Sequence, residues 1–149
     1  MMKTNVFQAA IFAGPTKREE AKHRETVEEI IYFLELEAVR DTAVAGLPYG
    51  LQKRIEFGRA IAAEPDLILL DEPMAGMKHD EKAEMSNFVR KLNAQGMSIL
   101  LIEHDIRVVT DISDHVVVLD YGRKIAEGEP QVVINNPLVI DAYIGPTKH

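Results

Sequence analysis

The sequence predicts an α/β protein built around a parallel sheet. Two short apolar runs, residues 67–70 and 98–102, have the length and flanking residues of strands, and a segment with helical periodicity separates them. A third apolar run, residues 116–119, follows another short helical segment. Strands that alternate with helices form parallel sheets through right-handed crossovers, so this order is typical of an α/β core. We expect the first two strands to be buried on both faces.

The composition is that of a globular protein and excludes several kinds of site. The 149 residues are 46% hydrophobic and 28% charged, and they include no cysteine. Thiol chemistry, iron–sulfur clusters and cysteine-ligated zinc are therefore excluded. A net charge of −7 argues against nucleic-acid binding, which relies on lysine and arginine. The apolar runs are far shorter than the ~20 residues that cross a bilayer, so we expect no direct membrane insertion.

The first part of the chain is predicted to be helical. Residues 17–36 carry apolar side chains at the i, i+3, i+4 and i+7 positions of one helical stripe: Val27, Ile30, Ile31 and Leu34. Before this helix, Gly14 and Pro15 are expected to break the chain. A second helix is expected over residues 51–63, because Pro65 disfavours helical geometry in the residue before it.

The chain is expected to divide into a helical portion, residues 1–64, and an α/β core portion with a C-terminal tail, residues 65–149. A helix over residues 80–94 separates the first two strands. Asp105 is suited to cap a short helix after the second strand. Residues 120–123 have the composition of a hairpin turn after the third strand.

Two carboxylates follow the first strand and an imidazole follows the second. Asp71 and Glu72 come directly after residues 67–70, and His104 comes two residues after the second strand. In open α/β sheets, ligands bind beyond the carboxyl ends of the strands. There Asp71 is suited to hold Mg²⁺, Glu72 to orient or deprotonate a water molecule, and His104 to contact a phosphate oxygen or the neighbouring carboxylate. Each motif by itself also fits an ordinary strand end or helix cap.

A glycine opens the second predicted helix. Gly50 stands in the run Leu-Pro-Tyr-Gly-Leu-Gln-Lys-Arg at residues 47–54, where the N–H groups of the first helical turn would face outward. Helix N-termini of this kind bind anions. The alternative is a plain loop-to-helix junction, and a single glycine does not separate the two.

In order and spacing, these motifs resemble the ATPase subunit of ABC transporters. The matching segments are residues 47–63, 67–73, 75–77, 99–105 and 117–128. The tail, residues 135–145, is similar to that of the branched-chain amino-acid importer group. The resemblance implies a partial P-loop NTPase fold of the ABC ATPase type, with a helical subdomain and a C-terminal hairpin.

The resemblance also implies a role for each matching residue. Asp71 is similar to the Walker B acid that acts on Mg²⁺, Glu72 to the catalytic base that polarises the attacking water, and His104 to the switch histidine near the γ-phosphate of ATP. In the family, the signature loop closes over ATP held by the other subunit, and the D-loop is a contact between the two subunits. The residues matching these two loops are Gly50, Leu51, Gln52, Gly76 and Met77.

The partners implied are a membrane permease subunit and a second ATPase subunit, which another copy of this chain can supply. The implied location is the cytoplasmic side, at the inner face of the cell membrane, reached through the permease. The substrate implied is an amino acid, with branched-chain import as the transport process.

The sequence departs from the family pattern at the signature, at the phosphate loop and at Lys78, which replaces the usual acid or amide of the D-loop. The common signature is Leu-Ser-Gly-Gly-Gln, of which Leu47 and Gly50 keep their places, whereas Pro48 removes a hydroxyl and a backbone donor. No Gly-x-x-x-x-Gly-Lys-Ser/Thr phosphate loop occurs in the 149 residues. We therefore expect the C-terminal portion of an ATPase, which binds ATP weakly or not at all by itself. We also expect a dimer or larger oligomer, because unpaired strand edges recruit other chains.

Three other functions remain open from the sequence. The first is a non-enzymatic, truncated or redesigned module that docks or oligomerises without nucleotide. The second is an ABC-type ATPase of DNA repair or translation, which the acidic charge and the importer-like tail disfavour. The third is an unrelated metal hydrolase, which is weaker because the five histidines show no ligand spacing.

Overall fold

A computed structural model describes residues 6–145 of the protein, with side chains for residues 20–143 and 145. The chain divides into two compact units, Met1–Glu64 and Pro65–His149. Within the described residues, every strand lies in the second unit. None of the helices in this range is both long and apolar enough to span a bilayer.

The first unit contains two α-helices, α1 (Val6–Phe33) and α2 (Tyr49–Ile61), joined through two 3₁₀ turns, Glu37–Val39 and Val44–Gly46. Helix α1 runs through Gly14 and Pro15, so the expectation of a break at this pair is wrong. Proline removes one backbone hydrogen bond of the helix. The remaining hydrogen bonds of this 28-residue helix keep it continuous through Pro15.

Helices α1 and α2 approach each other closely at Gly58. A Cβ atom at this position would lie 2.8 Å from Cδ1 of Leu34 and 3.1 Å from Cγ2 of Ile30. Leu34 is completely buried. The missing side chain of Gly58 therefore lets the two helices pack closely in the first unit.

The second unit alternates strands and helices, as the sequence predicts. Its elements in chain order are β1 (Leu67–Asp71), α3 (His79–Ala94), β2 (Ser98–Ile102), α4 (Ile106–Ile112), β3 (Val116–Asp120), β4 (Arg123–Gly128), α5 (Pro130–Ile134), α6 (Pro137–Val139) and a π-helical turn (Ile140–Ile144). Strands β1 and β2 are parallel, with α3 as the crossover, and their register pairs Leu67 with Ser98 and Asp71 with Ile102.

Strand β3 pairs with β4 rather than with β2. These two strands form an antiparallel hairpin, and among the described strands the parallel sheet has only two members. The hairpin turns at Tyr121 and Gly122, which both have positive φ angles (44° and 76°). Two consecutive positive φ angles are typical of the type I′ turn, whose twist matches that of the flanking strands.

Strand β1 is buried on one face only and β2 is half-buried on the same face, so the expectation of burial on both faces is wrong. Ile68 and Leu70 face the core and are at most 8% exposed. The alternate side chains of the same two strands are each more than half exposed: Leu67, Leu69, Leu100 and Ile102. These four residues form what we call the open face. A continuous apolar run predicts a strand, but whether its second face is covered depends on other segments of the tertiary structure.

The cores of the second unit lie on the opposite side of the parallel strands and beneath the hairpin. Helix α3 buries one stripe of its surface: Met85, Ser86, Phe88, Val89 and Leu92. A second cluster joins the hairpin to the C-terminal helices: Val116, Val118, Val133 and Val139.

Candidate functional site

The carboxyl ends of β1 and β2 meet at one edge of the parallel pair. The register places Asp71 opposite Ile102, so the residues that follow the two strands emerge side by side. The backbone N–H of Glu72 donates to the carbonyl oxygen of Ile102 at 2.9 Å. This bond extends the pairing one residue beyond β1 and fixes where Glu72 leaves the sheet.

The side chains of Glu72 and His104 lie together at this edge. Oε1 of Glu72 is 3.4 Å from Nδ1 of His104, which is ion-pair distance when the ring is protonated. The Glu72 side chain is 51% exposed and that of His104 is 64% exposed. A carboxylate and an imidazole in this arrangement remain open to a substrate, and one can orient the other.

Glu72 has a strained backbone. Its φ of 44° lies in the left-handed region, which costs a residue other than glycine of order 1–3 kcal/mol. Two hydrogen bonds hold it there: its N–H donates to Ile102, and its carbonyl accepts from the N–H of Ala75 at 3.1 Å. Strain of this kind persists only where surrounding contacts impose it, and it is common at functional sites.

Asp71 is the candidate Mg²⁺ ligand and lies exposed at the last position of β1. Within the described part of the chain, no cluster of three or more histidine, aspartate or glutamate side chains is arranged to hold a metal ion. The protein therefore offers Mg²⁺ few carboxylates. This donor set fits Mg²⁺ only where water and phosphate oxygens complete the shell, which is how Mg²⁺ is usually held at nucleotide sites.

Asp105 adds a negative charge next to His104. Its carboxylate caps α4 by accepting from the N–H of Arg107 at 3.2 Å, which confirms the predicted cap. It also accepts a hydrogen bond of 2.8 Å from Nζ of Lys82 in α3. The hydrogen bond from Lys82 is the main cause that lowers the pKa of Asp105 below its ordinary value. The pattern of apolar positions in α3 did not reveal this pair.

We expect the substitution Lys82→Met to raise the pKa of Asp105 toward its ordinary value of about 3.8. Because the folded-state pKa is lowered, the pair stabilises the fold above the unfolded-state pKa, and this contribution is lost as the pH falls through the folded-state value. The stability difference between wild type and variant should therefore shrink below about pH 4. NMR titration of the Asp105 carboxyl carbon checks the shift, with Lys91→Met in the same helix as control. An unchanged Asp105 titration would contradict the assignment.

The loop after Glu72 contains the two predicted D-loop residues. Gly76 is exposed and has a φ of 75°, a conformation that favours glycine. Met77 is only 7% exposed, and its N–H donates to the carbonyl of Met74 at 3.2 Å. Within the second unit, Gly76 thus presents backbone to the surface, whereas the Met77 side chain belongs to the core.

The predicted signature residues lie in the first turn of α2, in the first unit. Gly50 is buried and Leu51 is half-buried, and the helix begins without a side-chain cap. The N–H groups of Leu51 and Gln52 both donate to the carbonyl of Pro48. Nε2 of Gln52 donates to the carbonyl of Leu47 at 2.8 Å, so this side chain fastens the loop to the helix.

A lysine follows these residues on α2. Nζ of Lys53 donates to Glu56 at 3.1 Å and lies 5.7 Å from the centroid of the Tyr49 ring. The hydrogen bond to Glu56 raises the pKa of Lys53. The start of α2 therefore carries a positive charge that neighbouring side chains hold in place.

The sequence and the structure were compared with known proteins. The profile of the ABC transporter family matches residues 3–75, and that of the branched-chain amino acid ATP-binding cassette transporters matches residues 123–145. The high-affinity branched-chain amino acid transport ATP-binding protein BraF of Pseudomonas aeruginosa is 36% identical over 148 residues, which are 97% of this chain and 57% of BraF. The lipopolysaccharide export system ATP-binding protein LptB of Acidithiobacillus ferridurans is 34% identical over 132 residues, 89% of this chain and 53% of LptB.

Solved structures give the same result. An ATP-binding cassette of an ABC transporter in its ADP conformation superposes with a TM-score of 0.76 at 35% identity, over 84% of this chain and 51% of that one. A nucleotide-free ATP-binding cassette from an ABC transporter superposes with a TM-score of 0.75 at 31% identity, over 96% and 58%. In sequence and in fold, the chain is similar to the ATP-binding cassettes of ABC transporters. The cassette resemblance and the α/β fold expected from the sequence are thereby confirmed.

This chain spans little more than half the length of the curated relatives and solved cassettes named above. Its 149 residues include the Asp71–Glu72 pair and His104, and they contain no Gly-x-x-x-x-Gly-Lys-Ser/Thr run. The edge of the sheet therefore carries carboxylates and an imidazole, and these 149 residues supply no loop that would bind the phosphates of a nucleotide.

Proposed function

We propose that this chain forms the carboxylate-bearing part of an ATP-hydrolysing cassette that drives branched-chain amino-acid import. The observation that carries the proposal is the 3.4 Å approach of Glu72 to His104 at the carboxyl end of two parallel strands. The similarity of residues 123–145 to branched-chain amino acid cassettes, and that of the whole chain to BraF, supports the transport process.

The proposed mechanism divides the work between three side chains. Asp71 would hold Mg²⁺ together with water and the nucleotide's phosphate oxygens. Glu72 is the proposed general base, which orients and deprotonates the water that attacks the γ-phosphate. His104 contacts that phosphate and keeps the Glu72 carboxylate in place. Mg²⁺ supplies charge stabilisation to the phosphates when bound.

The proposed partners are a second ATPase subunit or copy of this chain, and a membrane permease subunit. The first turn of α2, with Gly50, Leu51 and Gln52, would lie against nucleotide held by the second subunit, although the N–H groups of Leu51 and Gln52 donate to the Pro48 carbonyl in this structure. Gly76 would contribute backbone to the same subunit contact, and Met77 would support it from the core. Binding to the permease would hold the protein at the inner face of the cell membrane.

We expect the 149-residue chain alone to bind Mg·ATP with a Kd above about 1 mM, because these residues lack the loop that binds the phosphates of the nucleotide. Isothermal titration with Mg·ATP measures this. Tight binding, or ATP hydrolysis by the purified chain that depends on Glu72, would contradict it. Docking on a partner without any effect of nucleotide would favour the non-enzymatic module instead.

The role of Glu72 is tested in the complete reading frame that contains this chain, provided that it encodes a phosphate loop upstream. There we expect Glu72→Gln to lower ATP turnover about 10²- to 10⁴-fold while leaving ATP binding intact, because only proton transfer is lost. Glu29→Gln, at an exposed position of α1, is the matched control. If Glu72→Gln left ATP turnover unchanged, the proposed role of Glu72 as general base would be wrong.

A further inference from the structure

Glu103 carries a buried carboxylate beside the proposed site. Its side chain is 1% exposed, whereas those of Glu72 and His104 on either side are at least half exposed. Glutamate is almost never fully buried unless it is paired or hydrogen-bonded, because desolvation disfavours its charge. The proposed mechanism does not use this carboxylate, so its contacts need another explanation.

Glu103 receives a hydrogen bond from the loop that follows β1. Oε1 of Glu103 accepts from the backbone N–H of Met74 at 3.0 Å. Met74 is completely buried, and its sulfur lies 3.6 Å from Oγ of Ser86 in α3. The core therefore holds the Met74 side chain while Glu103 holds its amide.

Glu103 also faces the imidazole. Its Oε2 lies 4.0 Å from Nδ1 of His104, the same nitrogen that lies 3.4 Å from Glu72. One residue at the end of β2 thus contacts both the imidazole next to it and the loop that begins with Glu72.

The loop over residues 72–77 makes few other hydrogen bonds to the ends of the strands. Glu72 donates to the carbonyl of Ile102, and the remaining backbone bonds run within the loop, from Ala75 to Glu72 and from Met77 to Met74. Glu72 itself has the left-handed φ of 44°, which needs support from outside the residue. The bond from Met74 to Glu103 is the second link between this loop and the end of β2.

We propose that Glu103 is a positioning residue, which clamps the Glu72 loop to the end of β2 and thereby sets the distance between Glu72 and His104. The functional meaning of that distance rests on the proposed function. The clamp itself is a property of the 149-residue chain. Glu103 touches neither substrate nor reacting atoms in this proposal and acts only through its neighbours.

Amide hydrogen exchange measured by NMR on the 149-residue chain tests the clamp. In the wild type, the Met74 amide should exchange at least about tenfold more slowly than in an unstructured chain. Glu103→Gln retains an acceptor oxygen and should keep this protection, whereas Glu103→Ala should accelerate Met74 exchange at least about tenfold. The control is Glu81→Ala, which removes the carboxylate that accepts from the Lys78 N–H and should leave Met74 protected.

A second readout reports the geometry of the pair. Glu72→Gln should shift the ring resonances of His104 in the wild-type and Glu103→Gln backgrounds, and this shift should fall by at least half in Glu103→Ala. Rapid exchange of the Met74 amide in the wild type would overturn the proposal even if Glu103→Ala does not fold. The proposal would also be overturned if the Met74 amide exchanged at the same rate in Glu103→Ala as in the wild type, or if Glu103→Gln and Glu103→Ala lost the same amount of Met74 protection. None of these readouts uses nucleotide, so failure of the proposed ATPase activity would leave their outcome unaffected.

Discussion

The purified 149-residue chain is expected to be a dimer or larger oligomer, held by the open face of its parallel strands. Leu69 and Leu100 are register partners at the middle of this face, and they are 68% and 56% exposed. Apolar surface of this kind marks interaction sites, and unpaired strand edges add backbone groups that a second chain can satisfy. Nearby, a cleft of about 620 Å³ is lined by β2 and β3, which are not paired with each other.

The double substitution Leu69→Lys and Leu100→Lys should raise the dissociation constant for self-association at least about tenfold, because it places two charges at the centre of the contact. Multi-angle light scattering over a range of concentrations measures the change. The matched control is Val132→Lys with Leu138→Lys, two similarly exposed apolar residues on α5 and α6. A wild-type monomer at about 50 μM, or equal effects of the two double variants, would contradict the role of the open face.

Phe88→Ala is expected to cost about 3–5 kcal/mol of unfolding free energy, the largest effect of a single substitution on stability that we predict. Phe88 is 1% exposed and lies on the buried stripe of α3, so truncation loses its transfer free energy and leaves a cavity. Small domains are stable by only about 5–15 kcal/mol, so the loss is a large fraction of the total.

Urea unfolding followed by circular dichroism, at one fixed protein concentration, measures this loss. Tyr32→Ala removes an aromatic ring of similar size that is 75% exposed on α1, and it should cost less than about 0.5 kcal/mol. If Phe88→Ala does not fold, Phe88→Leu should still show a loss of about 1 kcal/mol. A cost for Phe88→Ala no greater than that for Tyr32→Ala would show that α3 does not anchor this core.

Local patterns in the sequence predicted the elements of the second unit well. The apolar runs became β1, β2 and β3, and the helix predicted over residues 80–94 became α3. The carboxylate pair and His104 were found because residues after parallel strands emerge at one edge, which is a consequence of chain direction alone. Their catalytic roles stay predictions.

Other features depended on contacts that no local pattern encodes. Pro15 did not end α1, since the helical turns on both sides continue past one missing hydrogen bond. Glu103 reads in the sequence as one more polar residue at a strand end, and its hydrogen bond from the Met74 N–H joins two distant parts of the chain. The pairing of Lys82 with Asp105 likewise joins residues from different helices.

By itself, the sequence determined the type and order of the elements, the family, and the presence of two carboxylates and an imidazole at the ends of neighbouring strands. The tertiary structure decided that Glu72 and His104 approach to 3.4 Å, that the Glu103 side chain is buried and bonded to the Met74 amide, and that one face of the parallel strands stays open. The physical reason is that periodicity and turn chemistry act over a few neighbouring residues, whereas burial depends on which distant segments are there to cover a surface.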